Sequence, residues 1–125
     1  MEKHKRMLEK KEDERGWLVE LFKGSLLDNK IKGQIYSFSI NPGAKRGNHY
    51  HKRKTEWFSI LEGRCKLTLQ RDEDKEEIIL DAEDPLLVKV LPNVRHTFEN
   101  NAEEKAIIIA YIDEEFNPDD ADTFR

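Results

Sequence analysis

The sequence predicts an all-β domain, a sandwich or barrel of antiparallel strands. Three observations predict it. Short runs rich in β-branched and aromatic residues recur at fairly even spacing. Glycine, proline and asparagine punctuate the gaps between them. No helical period is sustained after residue 24.

Residues 1–12 are highly charged and read as a ragged helix or a flexible segment, with His4 a solvated side chain. Residues 13–125 form one domain. Residues 17–22 make a first strand with the character of an edge that needs covering. In residues 34–40, Tyr36, Phe38 and Ile40 alternate with Ser37 and Ser39, the period of a half-buried strand. Residues 48–51 are extended. Residues 56–61 and 64–70 flank Gly63 and read as a hairpin. Asp72-Glu73-Asp74-Lys75 reads as a solvated hairpin tip before residues 77–80. Residues 86–90, 95–99 and 106–112 complete the strands, and residues 113–125 cover the surface in an extended or turning path.

Composition narrows the function classes. A chain of 125 residues with 37% hydrophobic and 38% charged residues builds one modest core, which favours a homodimer. A net charge of -4 with basic residues scattered among acids argues against nucleic acid as a partner. No apolar run is long enough to span a bilayer, and the opening lacks a secretion signal, so a cytoplasmic protein is expected. A single cysteine, Cys65, excludes an internal disulfide and fits a reducing compartment.

The polar residues with chemistry lie between Gly43 and Gly63. Their pattern is Gly-x5-His-x-His-x4-Glu-x6-Gly, with His49, His51 and Glu56. Histidines two apart on a strand share a face. A carboxylate beyond the next bend and a third histidine, His96, can close on the same ion. Three imidazoles and a carboxylate suit a first-row divalent metal. Zinc is the expected occupant; iron, nickel and manganese also fit.

This frame, with Leu91-Pro92-Asn93-Val94-Arg95-His96 and Asn100, resembles the two motifs of the cupin superfamily. The resemblance implies a double-stranded β-helix, a jelly-roll-like barrel, with the metal in its wider mouth. Pro85, Leu91 and Asn93 depart from the family pattern of Gly, Pro and Gly. Asparagine is the best non-glycine residue for a left-handed turn. A narrower resemblance joins residues 13–22 and Arg46-Gly47-Asn48-His49-Tyr50 to the dTDP-4-dehydrorhamnose 3,5-epimerases. Residues 45–52 and 116–124 are similar to the cupin domain of the CapF-type capsular polysaccharide enzymes. Those enzymes join the cupin to a reductase domain, so a separate reductase partner is implied here.

The dehydrorhamnose epimerases use no metal; they carry Gln and Lys where this chain has His51 and Glu56. That double change favours the metal-bearing branch. The implied activity is epimerisation or isomerisation of a nucleotide-linked 4-keto-6-deoxy sugar for surface polysaccharide. Arg15 and Arg46 are the implied contacts to the substrate, with Arg46 expected at a hydrated rim. Tyr36, Tyr50, Tyr111 and Lys66 are acid–base candidates by residue type. Trp57 should face away from the site, in an outer-sheet or dimer contact. A small-cupin dioxygenase and a non-catalytic sugar-binding cupin are the competing readings.

Overall fold

The computed structural model describes residues 5–125, so His4 lies outside the described residues. Ten strands follow in order: β1 Lys10–Asp13, β2 Gly16–Lys23, β3 Gln34–Ile40, β4 Lys45–His49 and β5 Glu56–Glu62. Then come β6 Arg64–Arg71, β7 Asp74–Asp81, β8 Val88–Val90, β9 Arg95–Glu99 and β10 Ala106–Ile112. One 3-10 turn, Gly24–Leu26, is the sole helical element among the described residues. The strands form a six-stranded sheet, β1-β2-β3-β10-β5-β8, and a four-stranded sheet, β4-β9-β6-β7. Every strand pairing is antiparallel.

The core lies between the sheets. Phe38, Ile40, Phe58, Ile60, Ile108 and Ala110 from the larger sheet meet Cys65, Leu67, Leu80 and Phe98 from the smaller. Their period of two along each strand is the pattern a two-layer β structure needs. Phe98 packs edge-on against Phe38 and Phe58, at centroid distances of 5.3 and 5.0 Å. One end of this apolar stack is the floor of the site.

Four expectations need correction. Lys10–Asp13 is a strand rather than part of a helix. It pairs with residues Gly16 to Val19 and turns a charged edge to solvent. Consequently β2 is no edge: β1 and β3 flank it within one chain. The turn at Gly63 is not a hairpin. β5 and β6 belong to different sheets, and the chain steps across the barrel there. Gly63 has φ +80, and a Cβ would lie 2.5 Å from the Lys105 carbonyl oxygen, so the crossing requires glycine. Finally, β7 begins at Asp74, which shortens the tip to Asp72 and Glu73, with Asp72 left-handed at φ 56.

A candidate metal centre at the barrel mouth

Each histidine and the glutamate reaches the mouth for a local reason. In β5, Glu56, Phe58 and Ile60 share the inward face, so Glu56 continues the core row by one step. In β9, His96 and Phe98 do the same. β4 pairs with β9 through a bulge between Gly47 and His49, which sets His49 opposite His96. His51 lies just past β4. Gly47, with φ +85, fits against β9, where a Cβ would be 2.9 Å from the His96 carbonyl oxygen.

One ligand atom from each of His49, His51, Glu56 and His96 lies within 4.8 Å of the others. His51 Nε2 is 2.7 Å from Glu56 Oε1, and His96 Nε2 is 3.4 Å from the same oxygen. The Tyr36 hydroxyl donates to Glu56 Oε2 at 2.5 Å. His51 Nδ1 faces the Asp122 carbonyl oxygen at 2.7 Å, and His96 Nδ1 faces that of Val94 at 3.3 Å. Both rings set Nδ1 against a backbone carbonyl and turn Nε2 to the cluster. That is the arrangement that fixes a metal-binding tautomer. His49 Nδ1 is the one buried side-chain polar atom among the described residues without a hydrogen-bond partner.

Electrostatics agree with a cation site. Burial would raise the Glu56 carboxyl, yet hydrogen bonds from His51 and His96 hold it well below the carboxylate range. Burial, helped by His96 and His51, pushes His49 down to about 3, so its ring is neutral. Burial and the Glu56 charge raise Tyr36 well above 10.0, keeping it a phenol. Three imidazoles and one buried carboxylate with an orphaned nitrogen fit a divalent transition metal.

A family model described as the polysaccharide biosynthesis C-terminal domain matches residues 11–124. The chain belongs to that family. A UDP-2-acetamido-2,6-beta-L-arabino-hexul-4-ose reductase of Pseudomonas aeruginosa is 28% identical over 114 residues, covering 90% of this chain and 29% of the relative. The capsular polysaccharide assembling protein CapF of Staphylococcus aureus aligns with a TM-score of 0.86 at 24% identity. That alignment covers 98% of this chain and 32% of CapF. An oxalate decarboxylase of Bacillus subtilis aligns at a TM-score of 0.71 and 21% identity, over 94% of this chain and 30% of its own. This family member spans about a third of the length of each of these proteins. Its fold is a cupin domain resembling the C-terminal part of CapF.

Within this cupin domain the other candidate residues separate cleanly. A cavity of about 190 Å3 beside the cluster is lined by Tyr36, His49, His96, Arg15, Arg46 and Arg125, among others. Arg46 is buried rather than hydrated at a rim: Nε donates to the Ser39 carbonyl at 2.8 Å and the guanidinium lies over Phe38. Arg15 is exposed and held by Asp13. Tyr50 points away from the cluster, stacking on Phe124 and under Arg95. Lys66 sits on the outside of β6, between buried Cys65 and Leu67, and pairs with Glu77 and Glu99. Tyr111 also faces out, donating to the Lys32 carbonyl. Tyr50, Lys66 and Tyr111 are therefore withdrawn as acid–base candidates. Strand alternation puts all three on the wrong face.

Residue-type reasoning missed Asp122, Arg125 and Lys54. Asp122 and Arg125 come from a segment about seventy residues downstream that returns to the mouth. Lys54 is 2% exposed and donates to the Ala121 carbonyl. No local spacing signals such contacts; only the likeness of residues 116–124 to CapF-type cupins pointed there.

Proposed function

We propose that this domain is a nucleotide-sugar epimerase or isomerase of surface-polysaccharide synthesis, acting beside a 4-keto group and carrying a divalent metal, with zinc preferred. The observation that supports it best is the shared cavity. Three guanidiniums, one phenol and two histidines of the cluster, His49 and His96, face a single space. Guanidiniums suit a diphosphate, and a cavity of about 190 Å3 suits a sugar ring with its nucleotide outside. The family membership and the reductase relative point to the same class of substrate.

His49, His51, Glu56 and His96 would hold the metal, which when bound supplies Lewis acidity toward a carbonyl oxygen. The chain's own part is positioning and proton handling. Epimerisation moves a proton from the carbon next to the ketone to a base, leaves the C–H electron pair as an enolate, and takes a proton from an acid on the other face. Tyr36, held as a neutral phenol and bonded to Glu56, lines the same cavity and is suited to turn its hydroxyl to the enolate oxygen as a hydrogen-bond donor. Arg15 and Arg125, which line the cavity, would hold the diphosphate, while Arg46 stiffens the wall through Ser39 and Trp17. A reductase would act on the product.

Incubation with a UDP-4-keto-6-deoxy sugar in heavy water tests the reading. Deuterium should appear at C3, and Tyr36→Phe should slow its entry tenfold or more. Oxygen uptake with a small substrate, or binding without exchange, would replace the epimerase by a dioxygenase or a sugar-binding cupin.

A further inference from the structure

Among the described residues two carboxylates are buried, Glu56 and Asp122. Both residues touch His51. Glu56 belongs to the metal cluster, whereas Asp122 has no place in that set. Its carboxylate accepts three successive backbone N–H groups, from Lys52 and Arg53 at 3.0 Å and from Lys54 at 3.1 Å. Its backbone carbonyl accepts from His51 Nδ1.

Residues 51–55 join two cluster residues and have no strand partner. Buried backbone donors need acceptors. Consecutive N–H groups turned toward one anion form a concave donor site, which a carboxylate completes. Asp122 therefore sets the path of the 51–55 loop and, through its carbonyl, the orientation of His51. The backbone at Asp122 is left-handed, φ 50, a conformation aspartate tolerates better than most residues. Its neighbours pin it from both sides. Tyr50 and Phe124 exchange backbone hydrogen bonds at 2.9 Å, and the Lys54 ammonium holds the Ala121 carbonyl at 3.0 Å.

We infer that Asp122 is a positioning residue for the metal centre, which makes residues 121–124 part of the site rather than a surface tail. The inference rests on the metal-site reading above but not on the epimerase activity. Asp122→Ala removes three acceptor bonds from the loop. Asp122→Asn keeps one acceptor oxygen but turns an amide donor toward the remaining N–H groups.

The test is zinc and cobalt(II) binding to the full chain by competition with a chelator, with the visible spectrum of the cobalt form recorded. Asp122→Ala should weaken both metals tenfold or more and alter the cobalt bands. Asp122→Asn should fall between it and the parent. Asp120→Ala, which loses only an exposed pair with Arg53, should match the parent. Parental affinity and cobalt bands in a folded Asp122→Ala protein overturn the inference. If that variant does not fold, the same result in Asp122→Asn does so. A parent that binds neither metal refutes the cluster reading itself, a distinguishable failure.

Discussion

At the residue scale, the cluster concentrates groups that are costly to bury without a cation. His49 illustrates the sign. Its proton affinity falls from 6.5 to about 3 on folding, burial being the first cause. The unfolded chain then binds the proton and the folded one does not, so this residue's contribution is complete above pH 6.5 and is lost as pH falls toward 3. His51 acts oppositely. Burial lowers its affinity, but the Glu56 hydrogen bond reverses that and raises it. Its contribution is present below its unfolded value and is lost as pH rises through the folded one. Urea unfolding of metal-free protein from pH 7 to about pH 4 separates them. His49→Gln should flatten the acid-side loss, and an unchanged slope would contradict the assignment. Metal content is the companion measurement. The parent should carry close to one equivalent of transition metal. His51→Gln with Glu56→Lys should hold less than about a tenth of that while staying folded.

At the element scale, the turns carry the site. Asn93 adopts φ 70, and its N–H donates to the His51 carbonyl at 2.6 Å. The loop before β9 thereby grips the end of the loop from β4. Asparagine standing where cupins carry glycine is thus explained by a left-handed backbone it can adopt. Asn93→Gly should fold with nearly parental stability, whereas Asn93→Ala should lose about 1–2 kcal/mol. Denaturant midpoints check both. Equal stability of the alanine and glycine variants would show that the positive φ imposes no cost. Asn100 is a second such device. Its amide donates to the Ile40 and Glu104 carbonyls at 2.8 Å and its oxygen accepts from Ala102, so it closes a turn and is remote from the cluster.

At the scale of the whole molecule, the outer face of the larger sheet remains unusually apolar. Ile35, Trp57, Leu87, Ile109 and Tyr111 border one shallow depression there, with Trp57 and Tyr111 5.6 Å apart. Scattered apolar residues are ordinary on a surface, but a contiguous group on a flat sheet marks a contact. Pairing of this face with a second copy is the proposed dimer. Light scattering at micromolar concentration should give twice 14.8 kDa, and Ile109→Lys should give the monomer. A parent that is monomeric removes the proposal. Among the described residues no helix is long and apolar enough to cross a membrane.

The strand runs after residue 16 and the alternation of Tyr36, Phe38 and Ile40 were legible because alternation is a local property of sequence. Residues 34–40 and 95–99 were bounded correctly from their alternation and turn residues alone. The four cluster residues were legible for a related reason: spacing along strands fixes which face a side chain takes. Tertiary structure decided what spacing cannot encode. That the turn at Gly63 separates its strands into two sheets, packed so closely on the Lys105 carbonyl forty-two residues away that no Cβ fits, is a property of the closed fold. Whether Lys66 and Tyr50 serve the site depends on which side of each sheet meets the core. That Asp122 shapes a loop seventy residues upstream depends on the path of the whole chain. Local chemistry selects the strand and its face; only the closed barrel selects which distant groups complete one another's hydrogen bonds.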